Sequence, residues 1–226
     1  SDNAVKWFEA RGISQRTLIK MKISEGPEWM PQTSKTENTI QFNYFINNEL
    51  INIKYRDGRK NFKLVKGAEK VFYNLDSTVG HDYVVIVEGE MDALSFVDAK
   101  IDSVVSVPNG ATLNRLNLDY LDSCIEYFDD KSRIIIAVDS DEAGQNLQQE
   151  LIRRFGAEVC YTISFGEHKD ANEFLLQHGS SMLKRLIDKA SPVPLENVVT
   201  LKDVNEELQE FIHEGFKPGF QVGLDN

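Results

Sequence analysis

Three acidic strings stand at the ends of apolar runs. YVVIV leads into Glu88-Gly89-Glu90 with Asp92 close behind, RIIIAV leads into Asp139-Ser140-Asp141, and AEVCYTISF is followed by GEHKDANEF with Asp170 and Glu173. Two carboxylates two residues apart on an extended chain sit about 7 Å apart and, at an effective dielectric near 20, repel by roughly 2 kcal/mol. A proton, a Lys or Arg partner, or a divalent cation must offset that repulsion. Hard oxygen ligands with open positions suit Mg2+ or Mn2+, which keep several waters and take up substrate phosphates. Gly89 permits a close approach beside Glu88, and Gly144 in DEAG permits close packing where a helix leaves a strand. A lone DxD is common in proteins that bind no metal; the ordered series EGExD, DxDxxG, KDxxE is far more specific.

The surrounding pattern says what positions these residues. Short, nearly continuous apolar runs alternate with helical text (EMDALSFVDAK, EAGQNLQQELIRRFG), as a parallel sheet with crossover helices requires. In such sheets function gathers at the carboxyl ends of the strands, so Glu88, Asp139 and Asp141 can converge. Upstream, Gly12 closes one short helix and Ser14 caps a second. TIQFNYF and LINIKYR then alternate like strands, with turns at Asn47-Asn48 and Asp57-Gly58, and predict a small antiparallel sheet whose outer side carries the basic residues. The expected fold class is α/β: a basic α+β subdomain (1–76), a βα sheet domain of about four parallel strands (77–178), a helical extension (179–200), and a linker helix (201–226) with Leu201, Val204, Leu208, Phe211 and Ile212 on one face.

The formal net charge of −11 is unevenly spread: residues 1–75 hold 13 Lys/Arg against 8 Asp/Glu, and residues 76–226 hold 12 against 28. A basic front precedes an acidic body. No run is long and apolar enough for a membrane span, the N-terminus lacks a signal-peptide core, and Cys124 and Cys160 lack zinc-site spacing, so a cytoplasmic protein without zinc or membrane contact is expected. His81, His168, His178 and His213 are scattered, with His168 read as a solvated loop residue. Trp7, Phe8 and Trp29 are read as packing residues more than base-stacking ones, and no GxxxxGK[ST] loop is present.

VVIVEGEMDALSF and IIIAVDSDEAGQ resemble the glutamate and DxD motifs of the Toprim domain shared by bacterial-type primases, topoisomerases and some nucleases. LINIKYRDGRKNFKLVKGAEKVFYNLD, VPNGA and KDANEFL are similar to the primase part of phage-type and Twinkle-like primase-helicases, and GFQVGLDN looks like the start of a ring-forming helicase domain. The resemblance implies Glu88 for proton transfer and metal contact, Asp139 and Asp141 for Mg2+ (or Mn2+), Asp170 for a second metal, and Asp92, Gly89, Asn109, Gly110 and Gly144 as supports. It implies nucleotide or nucleic-acid contacts for Lys54 and Arg56, then Lys63 and Lys66, with Lys169 and Asn172 near the triphosphate. The implied activity is a DNA primase making RNA primers from NTPs on single-stranded DNA in a phage-infected or bacterial cell, beside a helicase domain of the same chain or of neighbouring subunits. Two alternatives are a catalytically weak DNA-binding and assembly module of a replicative helicase, and a Toprim nuclease.

Overall fold

The computed structural model of the chain describes residues 1–111 and 118–195. Helix α1 (Asp2–Glu9) is followed at the positive-φ Gly12 by α2 (Gln15–Lys20), whose N-cap Ser14 accepts from the Thr17 amide. The first sheet has strands β1 (Ser24–Met30), β2 (Lys35–Ile46), β3 (Glu49–Arg56) and β4 (Phe62–Leu64), in that order and all antiparallel. Its sequence reading missed β1, a Gly- and Pro-containing strand that sits at the sheet edge, where proline is tolerated. Gln32 Nε2 donates to the Phe62 carbonyl at 2.8 Å and Lys63 Nζ to the Trp29 carbonyl at 2.7 Å, so the segment at the end of β1 meets β4.

The second sheet contains β5 (Tyr83–Val87), β6 (Val104–Ser106), β7 (Arg133–Ala137), β8 (Cys160–Thr162) and β9 (Ser191–Pro192) in the order β6-β5-β7-β8-β9. The first four are parallel, as the buried apolar runs predict; β9 adds an antiparallel edge of only two residues. Between them lie α3 (Glu90–Asp98), α4 (Asp119–Asp122) and α5 (Glu142–Phe155), and after β8 come α6 (Ala171–His178) and α7 (Ser180–Asp188). Val84 to Val87 and Ile134 to Ala137 are all buried, as strands covered on both faces must be.

The two sheets share one buried cluster, from Phe8, Phe42 and Tyr44 through Val71 to Tyr73 into β5, β7 and α3. Ser1–Val193 form one compact unit. The linker helix expected over 201–226 lies outside the described residues. Among the described residues no helix is long and apolar enough to cross a membrane.

Candidate active site

In the register of the second sheet Val87 lies beside both Ala137 and Ser106, so the chain leaves β5, β6 and β7 at one edge. Glu88 follows β5, Asp139 follows β7, and the segment after β6 passes against Glu88. Ala111 N donates to Glu88 Oε1 at 3.1 Å, and Gly110, at φ +65°, passes where a Cβ would lie 3.7 Å from that oxygen. Asn109 sits on the same loop and is exposed. Glu88 Oε2 is buried without a hydrogen-bond partner among the described residues. Burial, then the Asp139 charge, pushes the Glu88 carboxyl above its ordinary value.

The two aspartates of the DxD differ. Asp139 is raised by burial, partly countered by Lys169, whereas Asp141 is lowered because its Oδ1 accepts from Gly144 N at 3.0 Å and caps α5. Lys169 Nζ stands 3.2 Å from Asp139 Oδ2 and 3.5 Å from Asp141 Oδ2, and its carbonyl accepts from Ser140 N at 3.0 Å. An ammonium thus sits where the repulsion between the aspartates is greatest.

Asp170 caps α6 through Glu173 N at 2.8 Å. Asp92 is buried in the first turn of α3, and its carboxyl is pushed well up by burial and then by the charges of Asp170 and Asp139. It accepts from Asn172 N at 3.3 Å. Asn172 Nδ2, which the resemblance placed near the triphosphate, donates to the Arg11 carbonyl and to Ser95 Oγ, each at 2.9 Å. Gly89 is the N-cap of α3, where a Cβ would come within 3.1 Å of Asp92 Oδ2.

Lys54 and Arg56 depart from the expected outward placing of the basic residues. Lys54 and Arg56 point inward from β3, each only 8% exposed. Lys54 Nζ contacts Glu90 Oε1 at 2.8 Å and Oε2 at 3.1 Å, and Tyr44 donates to the same carboxylate. A buried lysine is tolerated there because the carboxylate compensates its lost hydration. The Arg56 guanidinium lies 4.5 Å from the centroid of the Trp7 ring and that of Arg11 3.7 Å from it. Arg56 is lowered by burial and then by the Arg11 charge, and among the described residues no carboxylate forms a salt bridge to either. Lys63 pairs with Glu28, and Lys66 is exposed. Sequence reasoning left Glu90 and Arg11 without roles. Glu90 stands inside the quoted EGExD string, but its partners are remote in sequence.

A hard divalent cation fits the donor set: carboxylate oxygens only, one buried and unpartnered, with a lysine ammonium already between two others. Among the described residues no three His, Cys, Asp or Glu are grouped closely enough for a preformed metal cage, so this is an open arrangement.

Residues 85–175, which carry all the acidic strings, match the Toprim-like family. This segment is a Toprim domain. The chain is 32% identical over 244 residues to a Twinkle homolog protein, chloroplastic/mitochondrial, of Arabidopsis thaliana, covering all of this chain and 34% of that protein. It is 35% identical over 213 residues to a primase homolog protein of Arabidopsis thaliana, covering 87% of this chain and 61% of the other. The primase fragment of the bacteriophage T7 primase-helicase protein superposes with a TM-score of 0.67 at 26% identity, over 79% of this chain and 72% of that one. The chain therefore spans between a third and three fifths of these curated relatives.

Proposed function

We propose that the chain is a primase core that joins ribonucleotides on single-stranded DNA, and works within a primase-helicase. The observation that carries this is that Glu88 and Asp139 follow the neighbouring parallel strands β5 and β7, with Lys169 held by Asp139 and Asp141 and an unpartnered buried oxygen on Glu88. The names of the relatives and of the T7 neighbour support it.

Asp139, Asp141 and Glu88 would hold Mg2+, with Asp170 available to a second ion. A metal held there would help to activate the nucleophile and to neutralise charge on the triphosphate. Glu88, with its raised pKa, takes the proton of the primer 3′-hydroxyl at Oε2 as the new P–O bond forms at the α-phosphorus and the α–β bridge breaks to release pyrophosphate. Lys169, whose ammonium stands 3.2 Å from Asp139 and 3.5 Å from Asp141, would be placed to meet the anionic triphosphate. Arg11, half-buried and stacked on Trp7, offers positive charge to a phosphate backbone, and the buried Arg56 on the same ring adds to the local field.

Mg2+-dependent oligoribonucleotide synthesis on single-stranded templates is the test. Glu88→Gln and Asp139→Asn should each abolish it while leaving template binding in place; full activity in either variant refutes the assignment. A second reading, a DNA-binding and assembly module with a silent site, draws on Lys169 already occupying the space between Asp139 and Asp141. It predicts binding that survives EDTA and no synthesis from the intact protein.

A further inference from the structure

His168 and His178 are brought together away from the carboxylates. Their Nε2 atoms lie 2.8 Å apart, with ring centroids 4.9 Å apart and the rings crossed at 76°. His178 is the last residue of α6 and His168 lies in the loop before that helix. Phe174 holds both rings, at 5.5 Å from His168 and 4.6 Å from His178, so the loop histidine folds back along the helix face.

A neutral imidazole has one donor and one acceptor nitrogen, so this pair either shares a proton between its Nε2 atoms or turns two lone pairs toward one point. In the second arrangement a cation must lie between them. At metal–nitrogen distances of about 2.0–2.1 Å, two cis ligands at a right angle stand about 2.9 Å apart, close to the separation seen, while a tetrahedral angle asks the exposed rings to open by roughly half an ångström.

We propose that His168 and His178 form a binding site for a borderline divalent transition-metal ion such as Zn2+, Ni2+ or Cu2+. Imidazole selects these ions, whereas the all-oxygen set of Glu88, Asp139 and Asp141 selects Mg2+ or Mn2+, so the two sites sort their ions by ligand softness. Among the described residues no third His, Cys, Asp or Glu completes a cluster with them, and water fills the remaining positions. Lys169 and Asp170 lie between the two ligands in the chain, so an ion at the pair ties the loop that carries them to the far end of α6. The site does not depend on the reaction proposed above.

The test is calorimetric titration of the intact chain with Ni2+ and Zn2+ in excess Mg2+. One equivalent should bind, and His168→Gln or His178→Gln should weaken it about tenfold or more, because each removes half of a chelate. His81→Gln and Asp139→Asn should leave it unchanged. Failure of the intact chain to bind, or binding that survives both histidine variants, overturns the site. Both rings are surface groups, so the variants should fold, as circular dichroism would verify. Independently, the Cu2+ electron paramagnetic resonance spectrum should show coupling to two imidazole nitrogens; coupling to one, or to none, is equally decisive against it.

Discussion

Asp92 and Asp141 have the same side chain and opposite electrostatics. Asp141 sits at a helix N-terminus, where the Gly144 N–H and then Lys169 hold its pKa below the ordinary value. Asp92 is buried among other carboxylates and is held well above it. A group whose folded pKa is raised binds a proton in the folded state that the unfolded chain has already lost. Its favourable contribution is full below the ordinary value of 3.8 and disappears as pH rises through the folded pKa. Asp92→Asn keeps an oxygen for the Asn172 amide and removes the charge. The variant should melt higher than the parent at neutral pH, and the gap should narrow as the solution is acidified towards that ordinary value. Melting curves that stay a constant interval apart from acid to neutral pH would show that the buried charge is not the cause. Added Mg2+ should raise the parent more than the variant, since part of the repulsion it relieves is gone.

At the scale of elements, the turn from β7 into α5 carries the metal arm, and its tightness depends on Gly144. A Cβ there would lie 2.2 Å from the Asp139 carbonyl oxygen, backbone that cannot swing aside. Gly144→Ala should therefore push α5 away from the strand end and cost about 1–3 kcal/mol in urea unfolding. It should also depress synthesis beyond the loss of folded protein, because Asp139 and Asp141 move with the turn; a variant as stable as its parent would mean the helix start relaxes at no cost. This turn was legible in the sequence because its signals are local: an apolar run, two carboxylates, a glycine. The Ser14 cap and the parallel strands were legible for the same reason. Strand β1 was not, since Gly26 and Pro27 break its period and only its pairing with β2 makes it a strand. Nor was the inward turn of Lys54, whose compensating carboxylate is 36 residues away.

The whole molecule joins a basic front to an acidic body, and the seam is an ion pair. Lys54 and Glu90, with Tyr44, meet in the shared core, and Glu90 opens the helix that follows Glu88. Such a pair adds little against an apolar replacement of both partners, but removing one strands a buried charge at about 3–5 kcal/mol. Lys54→Met should therefore destabilise the protein severely, and adding Glu90→Gln should recover most of the loss, because the amide still accepts from Tyr44. Arg56→Gln, which breaks no salt bridge among the described residues, should cost less stability while weakening single-stranded DNA binding and flattening its salt dependence. Equilibrium unfolding of the Lys54/Glu90 double-mutant cycle, run beside salt titrations of DNA binding, separates the two roles. Strong positive coupling in unfolding makes Lys54 a joint between the sheets. If Lys54→Met instead leaves stability intact and reduces only the salt slope, the lysine faces nucleic acid in solution, and the original expectation for LINIKYR holds.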